Sequence, residues 1–73
     1  MEPATTIIKK CGGIAETARL ALCNTNWVYR WNIEVSKGGT GGRVPRKAQD
    51  NLLAASERKE ANISVTDFYP GAQ

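Results

Sequence analysis

The tightest constraint on this chain lies between Gly13 and Trp31, where two short helical patterns meet across a brief polar break. The first pattern runs from Ile14 to about Leu22. It puts Ile14, Ala18, Ala21 and Leu22 at the i, i+4, i+7, i+8 spacing of one buried face, with Glu16, Thr17 and Arg19 mostly outside it. Ala18 is small enough for the next helix to cross close by. Cys23-Asn24-Thr25 makes the turn, and Asn24 or Thr25 supplies a cap for the helix that follows. That helix is expected over about Asn26–Asn32. Val28 and Trp31 point inward, Trp27 flanks the same face, and Asn26, Tyr29 and Arg30 are left facing outward. A small residue at the crossing, a branched residue and a large anchor in the second helix, and a polar, cationic outer face give the layout of a helix-turn-helix.

The flanking segments read as more short helices. Ala4, Ile7, Ile8 and Cys11 form a narrow apolar stripe from about Pro3 or Ala4 to Lys10. Lys9 and Lys10 suit its C-terminal dipole, and Gly12-Gly13 stops it. A helix beginning near Pro45 aligns Ala48, Leu52 and Ala55, with Leu53 beside them, and fades at Glu57-Arg58-Lys59-Glu60. Ser64-Val65-Thr66-Asp67 resembles a capping box with Asp in place of Glu, opening a last short element from which Ile63, Val65 and Phe68 close the core. Pro70-Gly71 ends the ordered part. The expectation is one all-α domain over residues 1–73: a compact bundle of about five short helices containing a helix-turn-helix, with a flexible glycine-rich loop at about 33–44 and a tail at about 70–73.

Size and composition narrow the function. A chain of 73 residues holds one small core. Its apolar fraction of 41% and charged fraction of 23% fit a folded globular chain. The net charge of +3 is unevenly placed: residues 1–50 hold eight Lys/Arg against four Asp/Glu, whereas residues 51–73 hold two against three. The N-terminal two-thirds is therefore the side that would face a polyanion. With no histidine and only scattered carboxylates and thiols, no catalytic pair or triad assembles, so no enzyme is expected. Cys11 and Cys23 alone cannot make a four-ligand zinc site, and no metal or other cofactor is expected. The polar start Met1-Glu2-Pro3-Ala4 has no secretory character, so a reducing cytoplasm is expected, with both cysteines acting as small hydrophobes. No apolar run approaches a membrane span.

The outward face of the second helix carries the expected chemistry. Arg30 is the foremost candidate for a base contact, to guanine; the plain alternative is a solvated arginine. Asn26 either reads adenine or caps its helix. Tyr29 reaches a phosphate or a thymine methyl, or packs partly in the core. Asn24 and Thr25 lie at the helix start, where free N–H groups take a phosphate. Trp31 is read as core, whereas an exposed Trp27 ring would pack on the sugar-phosphate backbone. The loop Ser36-Lys37-Gly38-Gly39-Thr40-Gly41-Gly42-Arg43 lacks a preceding strand and the Gly-Lys-Ser/Thr ending of a P-loop. Its expected use is to let Lys37, Arg43, Arg46 and Lys47 approach phosphates.

Ile7-Ile8-Lys9-Lys10-Cys11-Gly12-Gly13, then Thr17-Ala18-Arg19-Leu20-Ala21, then Val28-Tyr29-Arg30-Trp31, and finally Gly42-Arg43-Val44-Pro45 before a helix resemble the small Cro-like, YdaS-type regulators of phages and prophages. The resemblance covers about residues 5–69. It implies a five-helix domain that represses transcription from a double-stranded operator, often as a homodimer, with its recognition helix around Asn24–Arg30. No membrane and no small-molecule substrate is expected as a partner. Two departures stand out: Leu22 where the motif has Gly, so the turn is expected to be entered differently, and a longer, glycine-rich loop at 32–42. Phe68 and Tyr69 are the nearest thing to a dimer surface. Some members are antitoxin-like, which keeps a protein-interaction module using Trp27 and Tyr29 in play.

Overall fold

Three of the helices close with the same hydrogen-bond pattern, and that pattern sets the lengths of the elements. In a computed structural model, which describes residues 3–68, α1 spans Ala4–Cys11, α2 Ile14–Ala21, α3 Thr25–Arg30 and α4 Arg46–Glu57, with 3-10 turns at Val35–Lys37 and Val65–Phe68. After α1, the Gly13 N–H donates to the Ile8 carbonyl (2.9 Å) and the Gly12 N–H to that of Lys9 (3.1 Å). After α2, Cys23 donates to Ala18 (3.0 Å) and Leu22 to Arg19 (3.3 Å). After α4, Glu60 donates to Ala55 (2.9 Å) and Lys59 to Ser56 (3.0 Å). Each is a Schellman closure, which needs one residue in the left-handed region. Gly12 takes it at φ 97°, but Leu22 (φ 57°) and Lys59 (φ 64°) take it as ordinary L-residues.

The described residues are all helical or irregular, with no strand. The Cα radius of gyration is 11.2 Å, the value of a compact chain of this length. Where about five helices are expected there are four α-helices, and the last expected element is the 3-10 turn Val65–Phe68. Its cap takes half the form of a capping box: the Ser64 N–H donates to Asp67 Oδ2 at 2.8 Å, while the Ser64 hydroxyl pairs with that of Thr66.

α2 is the central element, packed against α1, α3 and α4. The core gathers Ala4 and Ile7 of α1, Ala18, Leu20 and Ala21 of α2, Val28 and Trp31, then Val44, Ala48, Leu52, Ala55, Ile63 and Phe68. A helix with three neighbours buries more than one stripe, which overturns the single-face expectation for α2. Thr17 and Leu20 are buried and Ile14 only half so. Leu22 is 77% exposed, because the helix ends at Ala21 and the left-handed turn swings the next side chain out. The Thr17 hydroxyl donates to the Gly13 carbonyl at 2.7 Å, so its burial leaves no polar atom unmet. Two further expectations are corrected. Val65 lies exposed, since the turn inserts Phe68 instead, and Trp27 faces outward at 54% exposure rather than flanking the core.

The glycine-rich segment, expected as a flexible loop, is hydrogen-bonded to the end of α3. The carbonyls of Arg30, Trp31 and Ile33 accept from the N–H groups of Thr40 (2.9 Å), Gly42 (2.6 Å) and Gly41 (2.9 Å). These contacts tie the segment to the last residue of α3 and to the turn that follows it. The Thr40 hydroxyl lies 2.6 Å from the Arg43 carbonyl, and the Gly42 carbonyl accepts from Ala4 N–H, the first of α1 (3.0 Å). Gly39 is required by close approach: a Cβ there would run into the Ile33 carbonyl. Phe68 is buried, so it offers no dimer surface; Tyr69, Pro70 and Gly71 lie outside the described residues.

Candidate nucleic-acid interface

Six residues make α3, too few to hold a helix without outside contacts. Inside, Val28 and Trp31 anchor it, both almost fully buried. At its start Asn24 is the cap: its Oδ1 accepts from the Trp27 N–H at 3.1 Å. That commits the Asn24 amide oxygen to the helix and resolves the choice of cap between Asn24 and Thr25, which is the first residue of α3. Asn26 is not the cap, so its side chain is left on the outer surface. Behind the turn, Asn51 of α4 donates from Nδ2 to the Ala21 carbonyl at 2.9 Å. It fixes the end of α2, and hence the start of α3, to α4.

Thr25, Asn26, Trp27, Tyr29 and Arg30 are all exposed, Tyr29 by 59%. The Arg30 guanidinium lies over the Trp27 ring, with its central carbon 5.0 Å from the ring centroid. Trp27 also lines a groove with Leu22, Cys23, Pro45, Lys47 and Asn51. Lys47 of α4 therefore shares a surface with the α3 aromatic. A second, more polar hollow brings Arg43 and Arg46 together beside Thr40, Gln49 and Phe68. Lys37 lies on the first 3-10 turn and lines neither.

Ion pairing alone does not single out these cations, since Lys9 and Lys59 also lack a carboxylate partner among the described residues. Lys10, Arg19 and Arg58 are engaged with Asp67, Glu16 and Glu60. Arg46 meets Asp50 at 3.4 Å, but both side chains are well exposed, so the pair is weak and readily exchanged for a phosphate. Arg30, Lys37, Arg43 and Lys47 have no carboxylate partner among the described residues. Both cysteines are free thiols, and burial pushes each above its ordinary range, so neither is an activated nucleophile.

Asn51 is a site residue that sequence reasoning missed, and Leu22 is one it noticed at the turn but placed on the buried face. Asn51 falls three residues after Ala48 and four before Ala55, on the edge of the buried face of α4. A polar side chain there signals an unmet backbone group nearby. For Leu22 the signal was its place at the glycine position of the turn.

No helix among the described residues is long and apolar enough to cross a membrane. No known protein family, curated protein or solved structure matches this chain.

Proposed function

We propose that this chain is a sequence-specific double-stranded-DNA-binding transcriptional regulator. α2 and α3 act as a helix-turn-helix whose second helix enters the major groove. Arg30, Asn26 and Tyr29 meet base edges or the adjacent phosphates, Arg30 by its bidentate fit to guanine. Lys37, Arg43, Arg46 and Lys47 hold the backbone, and Thr25 lies at the edge of the contact. Two copies on a pseudo-palindromic operator bind about one helical turn apart. Repression, and a setting in a phage or mobile element, rest on the resemblance of the sequence to Cro-like, YdaS-type regulators.

The observation that carries this proposal is the exposed face of α3, where Arg30 lies over Trp27, beside a Lys47 with no carboxylate partner among the described residues. A second proposal, a protein-interaction or antitoxin-like module, draws on the exposed Leu22 next to Trp27 in the same groove. Salt separates the two. For a DNA binder, log affinity for duplex falls linearly with log salt, with a slope of about −0.9 per phosphate neutralised, and Lys47→Ala flattens the slope by about 1. Duplex affinity that is absent, or flat against salt, refutes the DNA proposal and favours the aromatic protein interface.

A further inference from the structure

We infer that Trp27 is the positioning residue for Arg30: its ring is the platform that holds the guanidinium while leaving the N–H fork free for the edge of one base pair. This rests on the DNA-binding proposal and goes beyond it, because it gives Trp27 a part in sequence discrimination rather than in packing on the DNA backbone.

The argument starts from what orients Arg30. An arginine stem samples many rotamers, and ordering it on DNA costs affinity. A carboxylate could order it beforehand, but would occupy the fork that reads guanine. Arg30 has no such partner among the described residues. An aromatic ring orders the group through its flat face and leaves the in-plane donors open. Trp27 stands three residues earlier on α3, the spacing at which helical side chains meet. Its backbone is fixed by the Asn24 cap, and its side chain lies at the edge of the groove with Leu22 and Lys47. The Arg30 guanidinium carbon lies 5.0 Å from the centroid of that ring, which places the platform under the fork.

The test uses the full chain as wild type, Trp27→Leu, Trp27→Phe, Arg30→Ala and the double variant Trp27→Leu/Arg30→Ala, each checked by thermal melting. Affinities are measured for the duplex that the wild type selects and for its single-pair variants. The expected result is that Trp27→Leu lowers discrimination about 2- to 5-fold, at the base pair that Arg30 reads and nowhere else. The salt slope stays unchanged, Trp27→Phe restores most of the loss, and Trp27→Leu has no further effect once Arg30 is alanine. An even loss across all duplexes, or sharper discrimination in Trp27→Leu, overturns the inference and leaves the DNA-binding proposal standing. Nuclear magnetic resonance of the free protein tests the stack without DNA: the Arg30 side-chain protons should carry a ring-current shift that Trp27→Leu removes. Absence of that shift in the wild type overturns the inference whatever the chain does with DNA. A wild type that shows the shift but binds no duplex overturns the DNA-binding proposal, and the inference with it.

Discussion

Leu22 stands in the left-handed region at φ 57°, where an L-residue costs roughly 1–2 kcal/mol. Its side chain is exposed, so removing it loses little burial. Leu22→Gly should therefore raise stability by about 1 kcal/mol, or about 4–8 °C in Tm, in a thermal melt. An unchanged or lower Tm would mean that what the Leu22 side chain contributes in the groove outweighs the backbone relief. The leucine at this glycine position was legible in the sequence; its consequence was not. The spacing of Ile14, Ala18, Ala21 and Leu22 put Leu22 on a buried face, and only the Schellman closure by Leu22 and Cys23 ends the helix one residue earlier. Trp27 and Trp31 show the same limit. They are four apart and share one side of the periodic pattern, yet Trp31, just past the helix, is buried with Val28 while Trp27 is exposed.

At the scale of elements, the helix order was readable because apolar spacing and the punctuating Gly12-Gly13, Asn24 and Pro45 agree with one another. What joins the elements was not, because a polar residue in the sequence does not say which carbonyl it will meet. Thr40, Gly41 and Gly42 read as flexible loop, yet their N–H groups bond to carbonyls at and just after the end of α3. Asn51 drew no notice in the sequence, yet it holds the Ala21 carbonyl at the end of α2. Asn51→Ala should cost about 1 kcal/mol by urea denaturation, the net worth of one such bond plus an unmet acceptor. It should also weaken duplex binding, since the start of α3 is released from α4. A variant that loses stability but binds DNA as the wild type does would show that the bond supports the fold and not the site.

At the scale of the whole molecule, the C-terminal turn is fastened to α1 through Asp67. Its carboxylate accepts from the Ser64 N–H and meets Lys10 Nζ at 3.0 Å; the first contact above all, then the ammonium, holds Asp67 below its usual range. A carboxyl lowered in the folded state contributes stability that is complete above the ordinary aspartate range and is lost as pH falls through the lowered value. Asp67→Asn should cost about 0.5–1 kcal/mol near neutrality, given the exposed lysine partner, and melting curves for variant and wild type should converge in acid. Curves that stay parallel down to acid pH would show that the clasp contributes nothing through its charge.

The uneven charge was visible in the sequence, and the structure adds where it gathers: Arg30 over Trp27, Lys47 in the same groove, and Arg43 with Arg46 in the next. The most direct test of sequence readout by α3 is parallel selection from a random duplex pool with wild type and Arg30→Ala. The account predicts a short two-fold motif for the wild type and, in Arg30→Ala, a loss of about 1–3 kcal/mol of discrimination at one base pair per half-site with folding unchanged. Recovery of the same motif with equal strength by both proteins, or of no motif by the wild type, would contradict it.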